Sequence, residues 1–168
     1  GNSADINLML YQLLKKLNIN VNLIIMSTRE NGIITPASPS LQKLNYVIVF
    51  AEIGDKSFFL DATEPFMPYY LIPMRCLNYQ GILINEMRGE PIDISTTRKD
   101  KESTDYILKI QDDNSIKGVI SIARIDYSAF DFRKKYHKFN STDEYLEDFR
   151  KDKTGLIISE SKINNIDS

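Results

Sequence analysis

An α+β fold is what this sequence predicts, and three observations carry the prediction. Residues 3–17 place Ile6, Leu10, Leu13, Leu14 and Leu17 at spacings of three and four, which lines one face of a helix with apolar side chains. Residues 45–53 and 57–61 are β-prone and flank Gly54-Asp55-Lys56, a hairpin by composition and spacing. A second alternating pair, 105–111 and 116–124, turns at Asp112-Asp113-Asn114-Ser115, and helical sequence follows it.

The first helix has Ser3 as its expected N-cap and Asp5 in the first turn, where a carboxylate meets the positive end of the helix dipole. Asn18 and Asn20 punctuate its end. Residues 21–27, with Leu23, Ile24 and Ile25, read as a buried strand. Residues 29–42 read as loop, broken by Asn31-Gly32, Pro36, Ser38 and Pro39. Beyond the first hairpin, residues 64–73 hold three prolines and two tyrosines and predict an ordered but irregular crossing. Residues 81–84 fit one more short strand. The stretch 88–103 is polar and without clear period, so the boundary between a first part, 1–88, and a second, 89–168, falls there. In the second part a helix starts at Asp126. Another follows Ser141-Thr142-Asp143-Glu144, which has the form of a capping box and should end at Gly155. Residues 156–163 predict a final strand, and Asn164-Asn165 a turn.

The bulk numbers narrow the function classes. Of 168 residues, 42% are hydrophobic and 26% charged, too apolar for a disordered chain. The net charge of −2 lacks the basic excess of a broad nucleic-acid footprint, so no nucleic-acid partner is expected. No apolar run approaches the ~20 residues of a bilayer span. Cys76 is the single cysteine and His137 the single histidine, so neither an internal disulfide nor a thiolate zinc site is expected, and no cofactor is. The abrupt start at Gly1, without an initiating methionine or signal peptide, reads as a piece of a longer protein.

Four segments of the first half resemble the transglutaminase-like superfamily, in the version found in large multidomain bacterial proteins common in Bacteroidetes. Gly1-Asn2-Ser3-Ala4-Asp5 is similar to the glycine-x-cysteine-x-aspartate start of that family's nucleophile helix. Leu44-Asn45-Tyr46-Val47 sits where the family has a histidine at the head of a strand. Phe59-Leu60-Asp61-Ala62-Thr63 is similar to its strand ending in aspartate. Ile72-Pro73-Met74-Arg75-Cys76-Leu77-Asn78 resembles a segment that follows this strand in the bacterial subgroup. The resemblance spans roughly residues 1–85. It implies a partial transglutaminase-like, cysteine-protease-like core with a helix packed on an antiparallel sheet, followed by a small α+β extension of a hairpin, two helices and a strand.

By that resemblance the triad of cysteine nucleophile, histidine base and orienting aspartate falls on Ser3, Asn45 and Asp61, and only the aspartate is retained. A serine hydroxyl needs a base to become a nucleophile, and an asparagine amide accepts no proton near neutral pH. Loss of a triad member costs about 10⁴-fold in rate. The resemblance therefore implies a catalytically inactive scaffold or a ligand- or protein-binding module inside a larger cell-envelope or periplasmic protein, its partners being other domains of the same polypeptide and a peptide or glycan. The alternative is a residual hydrolase or acyltransferase using Ser3 with an unidentified base.

Other residues carry weaker signals. Asn45 is expected to bond Asp61 or a backbone group. Cys76, beside Met74 and Leu77, reads as a buried hydrophobe rather than a displaced nucleophile. His137 lies in the basic run 133–138, which faces Asp143, Glu144, Glu147 and Asp148; these read as solvated faces of adjacent helices. Tyr69, Tyr70 and Tyr79, with Phe66 and Met67, are the binding candidates: aromatics near the rim of the implied cleft suit a peptide or sugar, and the bland reading is that they cap the sheet. A last option is association through the edge of the 105–125 hairpin.

Overall fold

The alternation along Asn20–Met26 (β1) buries both sides of one strand: Val21 and Leu23 point one way, Ile24 and Met26 the other. A computed structural model describes residues 2–34, 41–85 and 88–167 of the chain. Pro36, Ser38 and Pro39, expected loop breakers, and Gly1 of the first quoted motif lie outside the described residues. Those described form an α+β structure that divides into two units, 1–97 and 98–168.

In the first unit, β1 is the centre of a five-stranded sheet in the order β3-β2-β1-β4-β5, antiparallel throughout. The other strands are β2 (Tyr46–Ile53), β3 (Lys56–Leu60), β4 (Tyr79–Ile84) and β5 (Gly89–Ile94). Gly54, at φ 62°, opens the β2–β3 turn, a backbone state that only glycine adopts without cost. Val21, Val49 and Ala51 face the helix α1 (Ser3–Lys16), whose Leu10, Tyr11 and Leu14 pack on them. Ile24, Met26, Tyr46 and Ile48 face the opposite way, onto Ile72 and Cys76 of the crossing that follows β3. The sheet is thus covered on one side by a helix and on the other by an irregular segment.

In the second unit, β6 (Lys101–Ile110) and β7 (Ile116–Ile125) form a two-stranded ribbon. The helices α2 (Tyr127–Tyr136) and α3 (Thr142–Arg150) follow. They are joined by an aromatic cluster: the buried Tyr145 ring lies 5.7 Å from Phe132, 5.4 Å from Tyr136 and 5.7 Å from Phe139. Lys135 reaches Asp148 at 2.9 Å, so the basic run and the acidic residues do meet across the two helices.

Several local expectations change. The N-cap of α1 is Asn2, not Ser3: the Asn2 side chain accepts from Asp5 N and the Asp5 carboxylate accepts from Asn2 N. The helix stripe turned to the sheet is the buried Asn7 with the partly buried Leu10, Tyr11 and Leu14, which leaves Ile6, Leu13 and Leu17 exposed. The polar stretch after residue 88 contains β5, which pairs with β4. Ser141 caps α3 as expected, but Glu144 reaches back to Asn140 N rather than to the cap residue. The helix α3 ends at Arg150, and Gly155 lies in the turn beyond. Residues 156–163 form no strand; they find no partner strand, and Ile157 stays exposed.

Candidate functional site

The carboxylate of Asp61 gathers the polar groups of the first unit. Asp61 follows the last residue of β3, and its side chain is fully buried. Burying a carboxylate costs several kcal/mol unless its lone pairs are satisfied, and here they are. Oδ1 accepts from Thr63 N at 2.9 Å and from Asn7 Nδ2 at 3.2 Å. Oδ2 accepts from the Tyr46 hydroxyl at 2.9 Å and from the Cys76 thiol at 3.7 Å. The Arg75 guanidinium lies 4.0 Å from Oδ2 and supplies the counter-charge.

Each donor has its own anchor. Asn7 projects from the second turn of α1 and also donates to Val47 O at 2.8 Å and accepts from Ala62 N at 2.9 Å. It therefore ties helix, β2 and the end of β3 together. Tyr46 opens β2 with its ring in the core; because its hydroxyl donates to Asp61, its oxygen accepts from the Thr63 hydroxyl at 3.0 Å. Arg75, in the short turn Met74–Cys76, donates to that same Tyr46 oxygen at 2.9 Å, to Thr63 Oγ1 at 2.6 Å and to Glu64 Oε1 at 2.7 Å. Its guanidinium also stands over the Tyr46 ring, 5.3 Å from the centroid.

The electrostatics work against nucleophilic chemistry. Burial, and next the negative charge of Asp61, push the Cys76 thiol well above its ordinary range. The neighbouring Arg75 guanidinium favours the thiolate, as a reactive thiol requires, but burial and Asp61 outweigh it. Burial likewise raises Tyr46, against hydrogen bonds from Thr63 and Arg75 that lower it. Arg75 is held above its ordinary value: burial opposes the charge, but the bonds to Glu64 and Tyr46 outweigh it.

The three positions named by the family resemblance do not meet through hydrogen bonds. Ser3 is the first residue of α1, and its hydroxyl bonds no other described residue. Asn45 precedes β2 and bonds Thr28, accepting from its N–H at 2.9 Å and donating to its Oγ1 at 3.1 Å. This is the backbone partner expected of it, and Asp61 is not. Asn45 belongs to a second polar cluster. There Asn78 donates to Ser27 O and Gly32 O at 3.0 and 2.9 Å, and Asn31 to Lys43 O at 2.8 Å.

Of the aromatic candidates, Tyr69 and Tyr70 stand together on the crossing, their rings 5.5 Å apart and edge to face. Tyr69 also meets Phe58 of β3 at 5.8 Å. Tyr69 is 69% exposed, so it does not cap the sheet as core. Tyr79 is exposed at the head of β4 with φ 66° and joins no ring cluster among the described residues. His137 lies at the end of α2, 3.3 Å from Asp167. Among the described residues, no group of three or more His, Cys, Asp or Glu side chains is arranged to hold a metal, and no helix is long and apolar enough to cross a membrane.

Asn7, Tyr46 and Arg75 are the site residues that sequence reading passes over. Tyr46 and Arg75 stand inside quoted motifs without a role. For Asn7 a signal exists: positions 7, 10, 11 and 14 form a helix stripe as regular as the all-apolar one, with an amide at its head. Comparison with protein-family models, curated proteins and solved structures finds no match to this chain.

Proposed function

We propose that this chain is a catalytically inactive, transglutaminase-like domain that serves as a scaffold or as a ligand- or protein-binding module of a larger cell-envelope protein. The observation that carries the reading is the closure of the Asp61 cluster. A carboxylate that orients a base must leave a lone pair facing it, and both oxygens of Asp61 already accept protein donors in a fully buried position. The competing reading, a hydrolase or acyltransferase acting through Ser3, needs a base within hydrogen-bond reach of that hydroxyl. Among the described residues none holds it. The exposed Tyr69–Tyr70 pair favours the binding version over a plain scaffold: two rings at right angles present flat apolar faces with polar hydroxyl tips, which suits a sugar or an extended peptide.

The test is labelling of the native protein by a serine-directed fluorophosphonate at neutral pH, with Ser3→Ala as control. The expected result is no adduct on Ser3. An adduct on Ser3 that Ser3→Ala abolishes removes the proposal in favour of the hydrolase reading.

A further inference from the structure

The strand β6 is an edge along its whole length, and each of its residues is exposed except the half-buried Thr104. Gln111 N donates to Ser115 O at 2.8 Å where the ribbon turns. By the alternation of an antiparallel ladder, the odd-numbered residues of β6 then spend their backbone groups on β7. Those of Thr104, Tyr106, Leu108 and Ile110 point outward, a row of donors and acceptors that fits a further strand. Proline or charge ordinarily closes such an edge. The edge strand β5 has Pro91. The strand β6 has no proline, and beyond the Glu102–Arg124 pair its charges are Asp105 and Lys109.

Those two charges say which strand fits. They stand four positions apart on one face, and neither side chain has a hydrogen-bond or ion-pair partner among the described residues. Lys109 also lies directly across from Lys117 of β7, a like-charge pair that costs stability. Consider a second β6 laid antiparallel with Ile107 opposite its own copy. Asp105 then falls opposite Lys109 on both sides of the axis, and each Lys109 gains an acid beside Lys117. The same register sets Tyr106 against Leu108 and Thr104 against Ile110, so the outward backbone groups meet one another. The charged pairs occupy the positions without hydrogen bonds, where facing side chains come closest. Centring on Tyr106 or Leu108 leaves both charges opposite uncharged residues, and centring on Asp105 or Lys109 opposes like charges. The strand β7 offers no such match, because it carries Lys117 and Arg124 and no acid. The helix α2 does not obstruct the pairing. It lies over the base of the ribbon, with Phe132 beneath Arg124, and leans on β7 more than on β6. The two-fold axis is perpendicular to the sheet, so the two helices sit at opposite ends of it. We propose that β6 is a homodimer edge: two copies of this chain pair antiparallel through it, about an axis at Ile107, into one four-stranded sheet. The proposal is independent of the reading of the Asp61 cluster.

The test is light scattering coupled to size-exclusion chromatography of the whole chain over a roughly hundredfold concentration range. The wild type is expected to shift from monomer to dimer. Asp105→Lys and Lys109→Asp each oppose like charges at both positions and should weaken association at least ~10-fold. Mixed in equal amounts, the two variants match opposite charges again, and a dimer of one of each should form as strongly as the wild type. A chain carrying both substitutions should dimerise by itself. Circular dichroism identifies a single variant that fails to fold, and the doubly substituted chain against the other single variant then decides. A wild type that stays monomeric throughout, or that forms species larger than a dimer, overturns the proposal. So does a dimer indifferent to both single substitutions, or a mixture and a doubly substituted chain no stronger than the single variants.

Discussion

Truncating Asp61 to alanine strips Thr63 N of its acceptor and leaves the Tyr46 and Cys76 protons without theirs. Arg75 loses its nearby counter-charge but keeps Glu64 at 2.7 Å, which moderates the loss. Orphaned buried donors and a broken ion pair together set the cost at about 3 kcal/mol. Urea denaturation of Asp61→Ala against wild type checks it; a change under about 0.5 kcal/mol would mean the carboxylate is solvated rather than structural. The thiol supplies a pH signature. Burial raises Cys76, so the folded state keeps its proton where the unfolded chain has lost it. That contribution is complete below the unfolded thiol range, near pH 8.5, and stability then falls as pH rises, by about 1.4 kcal/mol per unit. Denaturation midpoints between pH 8 and 10.5 should show this slope, and Cys76→Ala should show less of it. The roles at this scale were only partly legible in the sequence. Asp61 is named by its motif, but what it bonds depends on Asn7, Tyr46 and Arg75, which lie 54, 15 and 14 positions away and which only the folded sheet brings together.

Among the elements, alternation and turn residues were enough to find β1, β2, β3 and the β6–β7 ribbon, because each shows a regular face and a Gly, Asn or Asp turn. The strand β5 escaped for a physical reason. It is an edge strand, Gly-Glu-Pro-Ile-Asp-Ile, with Pro91 opposite Ile82 and Asp93 on its exposed side. Edges protected by proline and charge look like loop in composition. The opposite error fell at 156–163, where aliphatic residues suggested a strand that has no neighbour to pair with. Strands depend on a partner that local sequence does not specify. In α1 the helix was right and its face was rotated, because the most regular all-apolar stripe is not the one that packs. The helix turns Asn7 inward to serve Val47, Asp61 and Ala62, and Leu13 and Leu17 are left outside. A satisfied buried amide outranked added apolar contact at that site.

Over the whole molecule, the two units differ in how they bury their residues. The first, 1–97, carries both aliphatic clusters, one on each side of the sheet. The second, 98–168, buries Tyr127, Phe130 and Tyr145 among its hydrophobic residues and leaves most of its ribbon exposed. The boundary read from polarity, at 88/89, cuts between β4 and β5, whereas the division at 97/98 keeps that pair in one unit. The Asp61 cluster is a closed part of the first unit's core, and Cys76, fully buried and bonded to Asp61, is its built-in reporter. The most direct measurement is the rate at which a neutral-pH alkylating reagent modifies Cys76 in the native protein compared with the urea-unfolded chain. A closed cluster predicts labelling slowed at least ~1,000-fold and tracking global unfolding as urea is added. Prompt labelling of the folded protein, at a rate near that of the unfolded chain, would contradict it.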